Sequence, residues 1–160
     1  MSKNLNIVLC GLGGQGILFI TKILAQTAID QGLNVIGAET HGMSQRGGSV
    51  VSHLRIGDIR GSLVRMNSAD AIIALEEKEG YKNLPFLAKN AQLFLNASSY
   101  TSIDHRVREY LSKNRITCHM IHADRIAMKL NNPMASNLVL LGLFSSRFKK
   151  EPFTRDRIIK

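Results

Sequence analysis

Only two cysteines occur among 160 residues, tryptophan is absent, and aromatic residues make up 6% of the chain. Two thiols exclude an iron–sulfur cluster of the chain's own, because such a cluster takes about four, usually closely spaced. Cys10 and Cys118 each lie inside an apolar, strand-like segment, so reduced and buried thiols in a cytoplasmic protein are expected. The shortage of aromatics removes the stacking surfaces that a single-stranded nucleic-acid module interleaves with its cations, which ranks that reading last. No apolar run approaches a membrane span. The apolar start of the chain ends in a glycine loop where a secretory leader would need a small-residue cleavage site, so no leader and no membrane association are expected.

What is present suits one soluble domain over residues 1–160: 44% apolar and 21% charged residues, enough to build a core without disulfides or metal. The net charge of +9 is uneven, with 9 Lys/Arg against 7 Asp/Glu in residues 1–100 but 12 against 5 in residues 101–160. A basic C-terminal third answers to nucleic acid, an acidic partner subunit, a phosphorylated ligand or simply a solvated face.

Strand-like and helix-like segments alternate. Leu5–Cys10 reads as a buried first strand, and Ile17, Ile20, Leu24 and Ala28 fall at helical spacing before Gly32, a natural helix end. Asn34–Ala38 is a second strand, Ser49–Ile56 an alternating one, and Ser62-Leu63-Val64 is expected to return antiparallel to it after the Gly57-Asp58 turn. Ala71–Leu75 is an apolar strand suited to a sheet covered on both faces. Residues 81–88 read as a short helix, 92–96 as a strand, 103–113 as a charged helix and 116–121 as a strand. Ala123–Leu130 and Ala135–Phe148 are helices broken by Asn131-Asn132-Pro133. The pattern predicts an α/β fold: a three-layer, Rossmann-like, mostly parallel sheet with an inserted β-hairpin.

The run Gly11-Leu12-Gly13-Gly14-Gln15-Gly16 follows a strand and opens a helix, the setting in which glycines hold a nucleotide or coenzyme phosphate. Gly11 permits the tight turn, Gly13 lets backbone approach an anion, Gly14 adds freedom, and Gly16 allows close helix–strand contact while the helix amides face the charge. A turn needed only for packing would look the same. No Gly-Lys-Ser/Thr follows, which excludes a Walker-type loop.

A nicotinamide-binding fold wants an acid at the end of the second strand, roughly 20 residues on, and Glu39 lies near that place. It is followed at once by Thr40-His41-Gly42-Met43-Ser44-Gln45-Arg46-Gly47-Gly48, a polar, glycine-rich loop that such a fold has no need for. At the carboxyl edge of the sheet this loop would offer the Arg46 guanidinium, neutral hydrogen bonds from Ser44 and Gln45, and the amides of Gly47 and Gly48 to an anion or to a protein partner.

Together the glycine turn, the loop His41–Val50 and the strand His53-Leu54-Arg55-Ile56-Gly57 resemble the gamma domain of the 2-oxoacid:acceptor (pyruvate/ketoacid:ferredoxin) oxidoreductases, with the second loop worded most like the beta subunit of the indolepyruvate branch. The similarity continues through Ala69–Ala74 to Asn96 and is only general beyond about residue 100. Ser62-Leu63 stands where that family has Ser-Pro, and the family usually runs longer, so the C-terminal end is read as shortened or divergent. The resemblance implies a subunit, inactive alone, of an enzyme that oxidatively decarboxylates a 2-oxoacid of the arylpyruvate type with coenzyme A to an acyl-CoA, passing electrons to ferredoxin. It implies that thiamine diphosphate, magnesium and iron–sulfur clusters lie on other subunits, above all a large thiamine-carrying one. Gly11, Gly13, Gly14, Gln15, Gly16, His41, Ser44, Gln45, Arg46, Gly47 and Gly48 would then shape the coenzyme A side or the subunit contact. In isolation the chain is open to homodimerisation. The alternative is a self-contained NAD(P)-binding oxidoreductase with Glu39 on the ribose.

Other residues carry weaker chemistry. Strand alternation puts Cys118 and His122 on one face and His119 on the other, poor geometry for one metal. Glu76, Glu77 and Glu79 are read as solvated helix-start carboxylates rather than acids or bases. The helix around Leu138–Phe144 is apolar nearly all round, which demands deep burial or an interface.

Overall fold

The computed structural model describes residues 4–41, 47–99, 103–153 and 155–158. Strand β1 (Leu5–Leu12) leads through helix α1 (Ile17–Ile29) to β2 (Val35–His41) and β3 (Ser49–Ile56). Then follow β4 (Ala69–Ala74), α2 (Glu77–Asn83), β5 (Leu87–Asn96), α3 (His105–Lys113), β6 (Thr117–Ile121), α4 (Ala123–Lys129), α5 (Ser136–Arg147) and α6 (Arg155–Ile158). The six strands form one sheet in the order β2-β3-β1-β4-β5-β6. β1, β4, β5 and β6 run parallel, and β3 alone opposes its neighbours, pairing antiparallel with both β1 and β2.

Period-two alternation along β1 decides the layering. Leu5, Ile7 and Leu9 face a core shared with Ile17, Ile20, Leu24 and Ala28 of α1 and with Leu140, Leu141 and Phe144 of α5. Val8 and Cys10 face the opposite core, with Leu84, Leu111 and Ile116. The sheet is therefore covered on both sides, as its nearly continuous apolar strands require. On the α5 side, Phe94, Phe144 and Phe148 interlock, with centroids 5.1 Å apart edge-to-face and 4.7 Å apart stacked. Helix α5, apolar nearly all round, buries Leu140, Leu141, Phe144 and Ser145, while Leu138 stays 47% exposed.

Two expectations change. The hairpin is made by β2 and β3 across the polar loop, and Ser62-Leu63-Val64 is not a strand. Val64 is buried but its N–H donates to Nδ1 of His53 at 3.3 Å, a side-chain anchor in place of a strand ladder, and Leu63 points to solvent at 55% exposure. The short helix expected at 81–88 begins four residues earlier. Glu77 and Glu79 occupy its first turn, where carboxylates favour the positive end of the helix, and β5 already starts at Leu87. Gly32, at φ 74°, does close α1, its N–H donating to the carbonyl of Ile29 at 2.8 Å. Among the described residues no helix is long and apolar enough to cross a membrane.

Candidate functional site

The glycine turn lies at the carboxyl end of β1, beside the point where the chain's route through the sheet reverses: α1 carries it away past β3 to β2, whereas β4 begins the run in the other direction. Crevices at such switch points are where open α/β sheets bind ligands. Gly11 is still strand; a Cβ there would meet Gln15 Oε1 at 2.5 Å and both Ile17 Cδ1 and Leu75 Cβ at 3.1 Å. Gly14 and Gly16 adopt φ 96° and 83°, left-handed values that glycine reaches without strain. Gln15 closes the turn twice, its N–H donating to Leu12 O at 3.2 Å and its Oε1 accepting from Leu12 N at 2.7 Å. The close contact at Gly16 is not the helix–strand one expected but one with α5: a Cβ would overlap the Asn137 amide.

The two motifs are physically joined. Gly13 N–H donates to the carbonyl of Gly48 at 2.9 Å, so this amide ties the second loop to the first and is not aimed at a ligand. Because β3 runs antiparallel, Leu12 faces Ser49 and His41 faces Val50. The ends of the second motif, His41 and Gly47-Gly48, therefore lie at the same edge as the glycine turn. His41 ends β2; Ser44, Gln45 and Arg46 lie outside the described residues. The amides that open α1 have no side-chain cap, and no carboxylate stands in its first turn, leaving that helix end favourable to an anion.

Residues without any motif complete the crevice. A cleft of 170 Å³ is lined by Gly14, Gln15, Leu75, Asn96, Asp124 and the Pro133–Ser136 segment. Asn96, at the carboxyl end of β5 and nearly buried, joins its walls. Its Nδ2 donates to Leu75 O at 3.2 Å and Asp124 Oδ2 at 3.0 Å, and its Oδ1 accepts from Ala123 N at 2.9 Å. A lone asparagine after an apolar strand is the sequence signal that could have found it. The volume is below the roughly 300–1,000 Å³ usual for a whole small-molecule site.

Glu39 does not fit a ribose-binding role. Its strand pairs with β3, which is interposed between β2 and β1, so Glu39 stands two strand spacings, about 10 Å, from the line of the glycine turn. The remaining candidates are structural. His119 stacks on Phe94 at 4.9 Å and pairs with Gln92 Oε1 at 3.1 Å, while His122 caps α4. Among the described residues no three His, Cys, Asp or Glu side chains group to hold a metal. Glu79 departs from the solvated reading: it is 4% exposed and pairs with Lys82. Burial, followed by the Glu79 charge, pushes the Cys10 thiol well above its ordinary range.

An open, mostly parallel α/β sheet covered by helices on both faces defines a Rossmann-like fold. The chain belongs to the pyruvate ferredoxin/flavodoxin oxidoreductase family, whose pattern matches residues 6–155. It is a subunit of a 2-oxoacid:ferredoxin oxidoreductase, an enzyme that works as a multi-subunit complex. It is 41% identical over 151 residues to the indolepyruvate oxidoreductase subunit IorB of Archaeoglobus fulgidus, covering 87% of this chain and 75% of that one. It is 33% identical to the same subunit of Methanothermobacter thermautotrophicus, covering 87% and 76%. The fold is shared with the gamma subunit of a keto/oxoacid ferredoxin oxidoreductase from Geobacter sulfurreducens, with a TM-score of 0.71 at 18% identity over 96% of this chain and 82% of that one. It is shared also with the 2-oxoglutarate:ferredoxin oxidoreductase of Magnetococcus marinus, solved with 2-oxoglutarate, coenzyme A and succinyl-CoA bound, with a TM-score of 0.76 at 18% identity over 99% of this chain and 26% of that one.

Proposed function

We propose that this chain is the small subunit of a thiamine-dependent oxidoreductase that converts an arylpyruvate such as indolepyruvate, with coenzyme A, to an acyl-CoA and passes the electrons to ferredoxin. Its own part is to supply one wall of the coenzyme A side of the active site, or the subunit contact beside it. The observation that carries this reading is the partial crevice at the switch point, with the His41–Gly48 loop tied to it through Gly13 and Gly48. A coenzyme diphosphate suits the uncapped start of α1, and Arg46 in the adjoining loop suits a phosphate fork. Electron transfer is assigned to the partner. Cys10 and Cys118 lie on β1 and β6, three strand spacings or about 14 Å apart, which does not suit a shared cluster.

The test is to purify the tagged chain with its large subunit from native cells and to titrate coenzyme A by calorimetry into the complex and into the isolated chain. The complex is expected to bind and to turn over indolepyruvate, with the isolated chain at least 100-fold weaker and inactive. Micromolar NADH binding and unaided turnover by the isolated chain would overturn the reading. Arg46→Ala in the complex is expected to raise KM for coenzyme A or to weaken assembly, leaving KM for the 2-oxoacid unchanged.

A further inference from the structure

The irregular segment between β3 and β4, residues 57–68, lies beside a concavity that the crevice does not use. The concavity is lined by Arg55, Arg60 and Arg65 with Leu63, and Asp58 is the one carboxylate among its lining residues. The segment is held at several points along its length. Arg55 Nε donates to Asn6 Oδ1 at 2.9 Å and its Nη1 to Gly61 O at 2.7 Å. Val64 is anchored on His53, and Ser68 O accepts from Asn6 Nδ2 at 3.0 Å. Arg60 and Arg65, by contrast, reach solvent, as do Leu63 at 55% and Met66 at 60% exposure. A backbone pinned from beneath therefore displays cations and large apolar side chains outward.

From this we infer that the 57–68 segment is a docking surface for an acidic, apolar-anchored patch on the large subunit of the complex. The charge decides the occupant's sign, since three guanidinium groups against one carboxylate leave the concavity positive. The two exposed apolar side chains decide its kind, because a small soluble anion makes no use of them. Arginine and methionine are enriched at protein interfaces, where a rigid presenting backbone lowers the ordering cost of association. A second copy of this chain would bring its own positive segment to a symmetric contact and be repelled. Assembly with a large subunit rests on the function proposed above.

The experiment is competitive assembly of the complex, with the large subunit purified from it and re-titrated with wild-type chain, with the Arg60→Glu/Arg65→Glu variant and with the Leu63→Ser/Met66→Ser variant. All four positions are exposed, so the variants are expected to keep the wild-type unfolding midpoint. The charge variant is expected to weaken assembly by about 10- to 100-fold and to flatten its salt dependence. The apolar variant is expected to weaken assembly by about tenfold with the salt dependence unchanged. If wild type assembles and both variants assemble equally well, the docking surface is wrong while the subunit reading stands. If the charge variant assembles normally but loses binding of inorganic pyrophosphate, the concavity is a small-anion site and the inference is overturned. A wild-type chain that forms no complex with the large subunit overturns both.

Discussion

Gly16→Ala tests the glycine turn most directly, because two independent effects act on it. At φ 83° an alanine sits in the left-handed region, at a cost of about 1–2 kcal/mol. Its Cβ would also overlap the Asn137 amide. That amide can swing away, but its Oδ1 accepts from Leu138 N at 2.8 Å at the exposed start of α5, so moving it forfeits a bond worth about 1 kcal/mol. The sum is about 2–3 kcal/mol, or a midpoint lowered by about 4–12 °C in a domain of this size. Urea and thermal unfolding followed by circular dichroism measure both. Asn137→Ala in the Gly16→Ala background removes the overlap but not the backbone strain, so the double variant is expected to recover at most about 1 kcal/mol. Gly142→Ala supplies the opposite sign: that glycine is exposed in the interior of α5, with nothing within 4 Å of an added Cβ, and alanine there is expected to stabilise by about 0.5–1 kcal/mol. A Gly16→Ala protein as stable as wild type would refute the assignment of this residue as a conformational requirement.

Three further outcomes follow from the geometry. Gln15→Ala removes the acceptor that closes Leu12 N and is expected to cost about 1 kcal/mol in urea unfolding, whereas Gln15→Glu, which keeps an acceptor, is expected to cost less; equal losses would deny the side chain its closing role. His53 is held below its ordinary value of 6.5 by burial, so the unfolded chain takes up the proton first as pH falls. Its contribution is full above pH 6.5 and declines below it; His119, lowered by burial and then by Arg147, acts in the same direction. Urea midpoints between pH 7.5 and 5 are expected to fall more steeply in wild type than in His53→Gln, and parallel curves would discount the histidine. Burial pushes Cys118 up to about 11 and Cys10 higher still. The native protein is therefore expected to react slowly with a disulfide reagent at pH 8 and rapidly in urea, and a thiol consumed at once in the native state would contradict that burial.

Local chemistry made much of the fold legible. The spacing of Ile17, Ile20, Leu24 and Ala28 marks the buried face of α1, and the apolar Ala71–Leu75 run marks a strand covered on both sides. Strand order is non-local, and no property of residues 34–38 announces that β3 will separate β2 from β1. Without that order Glu39 looked adjacent to the glycine turn. Leu63-Val64 imitated a strand because one buried and one exposed apolar residue is also the strand pattern; the bond that anchors Val64 comes from a histidine eleven positions earlier. The start of β5 was hidden by Lys89 and Asn90, exposed and polar, with Asn90 at φ 62°. At the site, the glycine turn and its companion loop were visible as motifs. Asn96, Asp124 and Asn137 were not, since single polar residues at the ends of elements meet only after the sheet is assembled.

The interposed β3 also dictates an order of loss. β2 is an edge strand whose ladder is made wholly with β3, so it has no hydrogen-bonded place in the sheet once β3 leaves. The crossover through α1 delivers β2 one position too far out, and the vacancy closes only when the next strand returns beside β1, where Ser52 Oγ accepts from Thr21 Oγ1 of α1 at 3.0 Å. Amide exchange in β2 can therefore be no slower than the opening of β3, and the two should exchange as one cooperative unit, separable from the β1-β4-β5-β6 block. β2 and β3 are consecutive in the chain, so a partner that grips the segment joining them would protect two strands that it need not touch.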